Sequence, residues 1–357
     1  MSKFYNRRTN ELTPYVPGEQ PKDKKYIKLN TNESPYPPSD KVLDAMRRAI
    51  NGDLRLYPDP DCVELKKAIA AAYDVAPENV FVGNGSDEIL AFAFQTFFEA
   101  EKPVRFPELT YSFYPVYAQL YGLAFETVPL NELLEIRCED FFNSKGGVII
   151  PNPNAPTSVA ISLADVEEIL KKNLDVVVII DEAYVDFGAE SAVQLVQRYQ
   201  NLLVVQTLSK SRALAGLRVG YAIGAVDLIA GLEKVKNSFN SYTMDRVALS
   251  GAVASIQDFE YNRTIQNKIV LTREMTSKAL QEIGFKVTEA KANFLFVSPP
   301  DSDAKKLFDR LREKGILVRY FAKTPQWLRI TIGTDEEMDA LISTTKDLIK
   351  EGSSENE

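Results

Sequence analysis

From residue 79 onward the chain alternates short apolar runs, rich in β-branched residues, with amphipathic stretches. That alternation restricts the possible folds more than any other feature. The runs are residues 80–82, 147–150, 176–180, 202–206 and 219–223. They show no polar alternation, so both faces of each strand must be covered. The stretches between them, residues 163–171 for example, are long enough for helices. Covered strands alternating with helices predict an α/β fold with a largely parallel sheet covered by helices.

After about residue 250 the pattern changes. A long helical region, 247–283, leads to strands at 285–288 and 294–297, a helix at 304–314, strands at 317–319 and 328–332, and a last helix from Glu336. This predicts a smaller C-terminal α/β unit. At the other end, Pro14, Pro17, Pro21, Pro35, Pro37 and Pro38 exclude helix and predict an extended arm. A helix is expected from Ser39 or Asp40 to Ile50. A second follows Asp61, with Leu65, Ile69 and Tyr73 on one face. The expected division is an arm (1–38), a large unit (39–250), a small unit (251–350) and a disordered polar tail (351–357).

Composition narrows the chemistry. The chain has no histidine, which excludes Ser-His-Asp and Cys-His catalysis and every histidine metal site, so no metal is expected. Its net charge of −8 argues against nucleic acid or anionic membrane as a partner. Cys62 and Cys138 lack ligand spacing and read as free thiols in a reducing compartment. No apolar run could span a bilayer and the N-terminus has no signal core, so the expectation is a cytoplasmic protein.

Three segments carry possible chemistry. Asp181 ends the run Val176-Val-Val-Ile-Ile, and in open α/β sheets ligands bind beyond the carboxyl ends of strands. Lys210 follows another run in Thr207-Leu-Ser209-Lys210, with Arg218 eight positions on and Gly216 between them. A lysine there can form a Schiff base when its pKa is lowered. Gly83-Asn84-Gly85-Ser86-Asp87 joins a strand to a helix, and its amides suit an anion. Taken singly, each has a plainer reading: a helix cap, a solvated lysine, a tight turn. Together they supply a carboxylate, a lysine and a phosphate cradle, the three needs of pyridoxal 5′-phosphate (PLP). Tyr111 is a candidate to stack on its ring.

The segments Gly85-Ser-Asp-Glu88, Asp181-Glu-Ala-Tyr184, Thr207-Leu-Ser-Lys210 and Ala215-Gly-Leu-Arg218 resemble, in that order, the fold-type I PLP aminotransferases. Within that superfamily the chain resembles the histidinol-phosphate aminotransferases. The supporting stretches are Leu12-Thr-Pro-Tyr15, Leu29-Asn-Thr-Asn-Glu33, Leu56-Tyr-Pro-Asp59, Ala292-Asn-Phe294, Gly315-Ile-Leu-Val-Arg319 and Leu328-Arg-Ile-Thr-Ile-Gly333.

The resemblance implies a large domain with a mostly parallel seven-stranded sheet and a smaller C-terminal α/β domain, and it implies roles. Lys210 would take the cofactor aldehyde and shuttle the substrate proton, Asp181 would pair with the ring nitrogen, and Tyr184 would donate to the ring's phenolic oxygen. Tyr111 would stack. Gly85, Ser86, Asp87, Thr207, Ser209 and Arg218 would hold the phosphate, with Tyr57 reaching it from the second copy in a homodimer. Tyr15, Asn32, Arg319 and Arg329 would bind the substrates, a small-molecule amino donor and a 2-oxo acid. The implied reaction moves an amino group between L-histidinol phosphate and 2-oxoglutarate in histidine biosynthesis. An aromatic amino acid aminotransferase, a threonine-phosphate decarboxylase and a non-catalytic PLP-binding protein share the same core. One segment departs from the family. Pro153-Asn154-Ala155-Pro156-Thr157-Ser158 stands where Asn-Asn-Pro-Thr-Gly is usual, so Ala155 takes the position of a ring-contacting Asn. Either Asn154 substitutes for it or Tyr184 acts alone.

Overall fold

The computed structural model describes residues 2–301 and 303–354, the last three of these by backbone alone. Seven strands form the large sheet in the order Val80–Gly83, Gly220–Gly224, Leu202–Thr207, Val178–Asp181, Val148–Pro151, Val104–Pro107, Phe125–Val128. Gly220–Gly224 runs antiparallel to both its neighbours, and every other pairing is parallel. Every residue of the four strands Val80–Gly83, Val148–Pro151, Val178–Asp181 and Leu202–Thr207 is buried, as their mostly apolar composition favours.

Alternate side chains feed opposite layers. Val178 and Ile180 join one apolar cluster with Val204 and Leu65, while Ile179 joins another with Val205 and Phe94. Val104–Pro107 and the edge strand next to it, Phe125–Val128, are absent from the sequence reading. They are short, and Phe125–Thr127 are exposed, so they lack the continuous apolar signal.

A four-stranded antiparallel sheet, in the order Arg319–Tyr320, Leu328–Thr331, Phe294–Ser298, Lys286–Val287, forms the smaller layer. The long helical region expected over 247–283 consists of two helices, Arg246–Gln257 and Phe259–Glu282. The break is at Asp258, a buried carboxylate that accepts from Lys41 at 2.7 Å. The arm is largely extended, with one short helix, Arg7–Glu11, before the proline-rich stretch. It does not stand apart: Ile27–Lys28 pairs in parallel with Ile316–Leu317, and Leu29 is buried in the small-layer core.

The final helix, Asp335–Ser354, runs through residues 351–354, which the sequence reading gave to a disordered tail. Arg310 holds that end by donating to the Leu348 carbonyl at 2.8 Å and pairing with the Glu351 carboxylate. Residues 355–357 of the expected tail lie outside the described residues. Among the described residues, no helix is long and apolar enough to cross a membrane.

Candidate active site

The strand ends Pro151, Asp181 and Thr207 open together on one cavity of ≈ 280 Å³. Its wall also includes Thr31, Glu33, Ser86, Asp87, Tyr111, Ala155, Tyr184, Ser209, Lys210 and Arg218. Parallel pairing makes this convergence unavoidable. Ile150 aligns with Ile180, and Ile180 with Val204, so each strand releases its next residues at the same edge.

At one end of the cavity lies an anion cradle. Gly85, at φ 82°, is the N-cap of the helix Ser86–Phe97, and no side chain caps the first-turn amides. A Cβ on Gly85 would sit 2.5 Å from Arg218 Nη2, and one on Gly220 would sit 2.5 Å from Ser86 N. Only bare backbone lets the guanidinium and the helix start approach one another this closely. Arg218 Nη1 donates to Ser209 Oγ at 3.4 Å, and Thr207 Oγ1 lies 3.0 Å from Ser209 Oγ. The Asp87 carboxylate is already engaged. It accepts from Tyr111 Oη at 2.7 Å and pairs with Arg218 at 3.3 Å, so it orients both of them.

At the other end Asp181 is buried, accepting from Tyr114 Oη at 2.8 Å and from the Ala183 amide at 3.3 Å. Burial lifts its carboxyl to about 6 against those hydrogen bonds. Between the two ends Lys210 Nζ donates to the Thr31 carbonyl at 3.3 Å and stands 5.9 Å from the Tyr184 ring centre. Burial pulls its ammonium down to about 8. Arg329 and Arg218 push the same way, while Asp87 and Glu33 oppose them. The donor set therefore fits a ligand with an anion at one end, a basic nitrogen at the other and a carbonyl between them.

The remaining expected residues distribute unevenly. Arg319 and Arg329 are register partners on neighbouring strands. Arg329 Nη2 donates to the Asn30 carbonyl at 2.9 Å, and its guanidinium lies over Phe294 and Phe321 at 5.4 and 5.5 Å. Arg319 Nη2 donates to the Val16 carbonyl at 3.2 Å. Neither arginine has a carboxylate partner among the described residues. Tyr15 stacks on Phe113 at 4.4 Å, which ties the arm to the large layer.

Arg319, Arg329 and Tyr15 lie outside the cavity wall, and Asn154, Asn32 and Tyr57 are likewise absent from it. Asn154 does not reach the cavity. Its amide donates to the Leu109 carbonyl at 3.1 Å and to Thr157 Oγ1 at 3.0 Å, and Ala155 lines the wall instead. Asn32, expected against substrate, is buried and donates to Tyr184 Oη at 3.0 Å. Tyr57 is 77% exposed and stacks on Tyr242, away from this chain's own cavity wall.

Sequence reasoning gave no role to Tyr114, Glu33, Thr31, Asn293 or Thr331. Tyr114 was findable, since it lies one helical turn beyond Tyr111 in an aromatic stretch. The other four sit inside stretches already singled out, but nothing local marks their partners.

The chain belongs to the class I and II aminotransferases: the family model described as "Aminotransferase class I and II" matches residues 24–344. At finer grain it is 56% identical to a histidinol-phosphate aminotransferase of Clostridium acetobutylicum, over 98% of this chain and 100% of the relative. It is 55% identical to one of Clostridium beijerinckii, over 99% and 100%. Its fold is that of a histidinol-phosphate aminotransferase from Sinorhizobium meliloti, solved in complex with pyridoxal-5′-phosphate. That likeness has a TM-score of 0.88 at 24% identity and covers 98% of this chain and 99% of that one.

Proposed function

We propose that the cavity holds PLP and that the chain moves an amino group between L-histidinol phosphate and 2-oxoglutarate, a step of histidine biosynthesis. One observation carries this reading. Lys210, Asp181 and the Gly85–Arg218 cradle surround a single cavity in the order that the aldehyde, ring nitrogen and phosphate of PLP require. The substrate half draws support from relatives that share more than half their residues with this chain and carry that activity in their names.

Bound there, PLP supplies an aldehyde and an electron-withdrawing ring. The first-turn amides of Ser86 and Asp87, the hydroxyls of Thr207 and Ser209 and the guanidinium of Arg218 hold its phosphate. Asp181, oriented by Tyr114, sets a buried negative charge against the ring nitrogen, and Tyr111 covers a ring face. Lys210, with its ammonium near 8, has a substantial neutral fraction just above neutral pH and acts first as nucleophile. It then carries the proton taken from the substrate Cα. Arg319 and Arg329 hold the anionic groups of both substrates, the phosphate of the amino donor and a carboxylate of the oxo acid. Tyr15 closes the arm side of that pocket.

The active form is a homodimer in which Tyr57 reaches the phosphate of the opposite copy. The exposure of Tyr57, beside exposed Ile50, Leu54, Leu56 and Tyr242, supports such an interface.

The test uses purified protein loaded with PLP. The expected results are a yellow enzyme, a borohydride-stable cofactor mass on Lys210, and loss of colour on adding glutamate. Histidinol phosphate should react faster than phenylalanine, and threonine phosphate should release no carbon dioxide. Failure of histidinol phosphate to react overturns the substrate, and absence of the Lys210 adduct overturns the cofactor. Sedimentation that gives a monomer overturns the dimer.

A further inference from the structure

Tyr184 stands in the cavity wall, and its hydroxyl has one hydrogen bond: it accepts from Asn32 Nδ2 at 3.0 Å. The direction of that bond is set from the far side of the amide. Thr331 Oγ1 accepts from the Asn32 backbone N–H at 3.0 Å and lies 3.0 Å from Asn32 Oδ1. A threonine hydroxyl has one hydrogen, which goes to Oδ1. With Oδ1 accepting, the amide nitrogen is what faces the phenol, and it can only donate. The phenol oxygen is thereby the acceptor, and its own hydrogen has no partner among the described residues. Tyr184 lines the cavity, so a ligand held there is what can take that hydrogen.

Asn32 has little freedom to do otherwise. It is 1% exposed, its backbone is left-handed at φ 57°, and Asn293 Nδ2 donates to its carbonyl at 3.1 Å. Nearby wall residues Pro151, Ala155 and Ala183 carry no side-chain donor. Asp181, Asp87 and Arg329 act on the phenol through their charges, and Lys210 Nζ stands 5.9 Å from its ring centre.

We infer that Asn32 is a positioning residue: the series Thr331–Asn32–Tyr184 keeps Tyr184 turned as the one side-chain donor to the phenolic oxygen of the bound cofactor. The inference rests on the PLP reading above. It explains how this chain manages with Ala155, because an oriented and polarised phenol serves where a second amide is missing. It also joins the cofactor ring to the strand Leu328–Thr331, which carries Arg329.

The test reads the visible absorbance of the loaded enzyme against pH, whose midpoint reports the proton on the Lys210 nitrogen. A donor at the phenolic oxygen spreads the negative charge that otherwise holds this proton. Losing the donor therefore moves the midpoint upward. Asn32→Leu should raise it by roughly one pH unit, the worth of one hydrogen bond to a charged group. Thr331→Val, which only frees the amide to turn, should raise it by less. Tyr184→Phe should raise it at least as much, and adding Asn32→Leu to Tyr184→Phe should change nothing further. Ala155→Asn, placed in the Asn32→Leu background, should return most of the shift.

An Asn32→Leu enzyme that is yellow, tagged at Lys210 and unmoved in midpoint overturns the inference while the PLP reading stands. A parent protein that takes no cofactor at Lys210 overturns both. Should Asn32→Leu not fold, an unmoved midpoint in Thr331→Val overturns the inference.

Discussion

The cofactor cavity and the proposed substrate end, whose Arg319, Arg329 and Tyr15 lie outside the cavity wall, are built differently. The cofactor end is assembled from strand termini and the turns that follow them, so each of its groups lies within a few residues of a buried strand. Asp181 ends Val178–Asp181, Thr207 ends Leu202–Thr207, and Gly85 precedes the helix Ser86–Phe97. The substrate end is assembled from three distant pieces of chain. Arg319 and Arg329 come from the small sheet, Val16 and Asn30 from the arm supply the carbonyls that hold them, and Tyr15 leans on the large layer. The first end is therefore held by sheet pairing. The second depends on the arm staying docked.

This contrast makes its own predictions, starting at the cofactor end. Lys210→Ala should lower transfer on the order of 10⁴-fold and abolish the borohydride adduct, measured by stopped assays and intact mass. Asp181→Asn should cost roughly 10²–10³-fold in kcat. The same variant should have the opposite effect on the stability of cofactor-free protein. The folded carboxyl is raised to about 6, above its value in the unfolded chain, so the folded state binds the extra proton. Stability is then favoured at low pH and falls as pH rises through about 4 to 6. Above that window Asp181→Asn should raise Tm, and below it the gain should vanish. Scans of cofactor-free protein at pH 4 and pH 7.5 check the sign.

Variants at the substrate end should spare colour and kcat more than affinity. Arg329→Lys should raise KM by roughly 10–100-fold while the visible spectrum of the loaded enzyme is kept, since a bidentate anion contact is lost but no cofactor contact. The smallest effect is expected at the arm. Tyr15→Ala removes one stacked pair, and its KM should rise only several-fold, about what one aromatic pair contributes. A Tyr15 variant that also loses cofactor would break the contrast, because it would show the arm supporting both ends.

Much of the cofactor end was legible from the amino-acid order. Lys210, Asp181 and Ser86 lie where a buried apolar run stops and Arg218 where one starts, and hydrophobic periodicity marks such boundaries. Val104–Pro107 and Phe125–Val128 were not legible, because Arg105 in one and Glu126 and Thr127 in the other break the apolar run. Tyr114 was missed because a tyrosine inside an aromatic helix looks like core until its hydroxyl meets Asp181. The orientation of Asn154 was not legible, because neighbouring asparagines in a turn have the same composition whichever one faces the cavity. Asn32 was assigned to substrate for a similar reason: its stretch carried the resemblance, but its partner is 152 residues away in Tyr184.

What this sequence determined by itself is the α/β alternation, the strand ends and the residue types gathered at them. Those depend on burial pattern and local turn chemistry, which short segments carry on their own. The tertiary structure alone decided which side chains face the cavity, how the arm docks and which way the Asn32 amide turns. These rest on hydrogen bonds between residues up to 303 positions apart, as between Arg319 and Val16. Such a bond forms only after the chain has brought its two partners together, so no local pattern announces it.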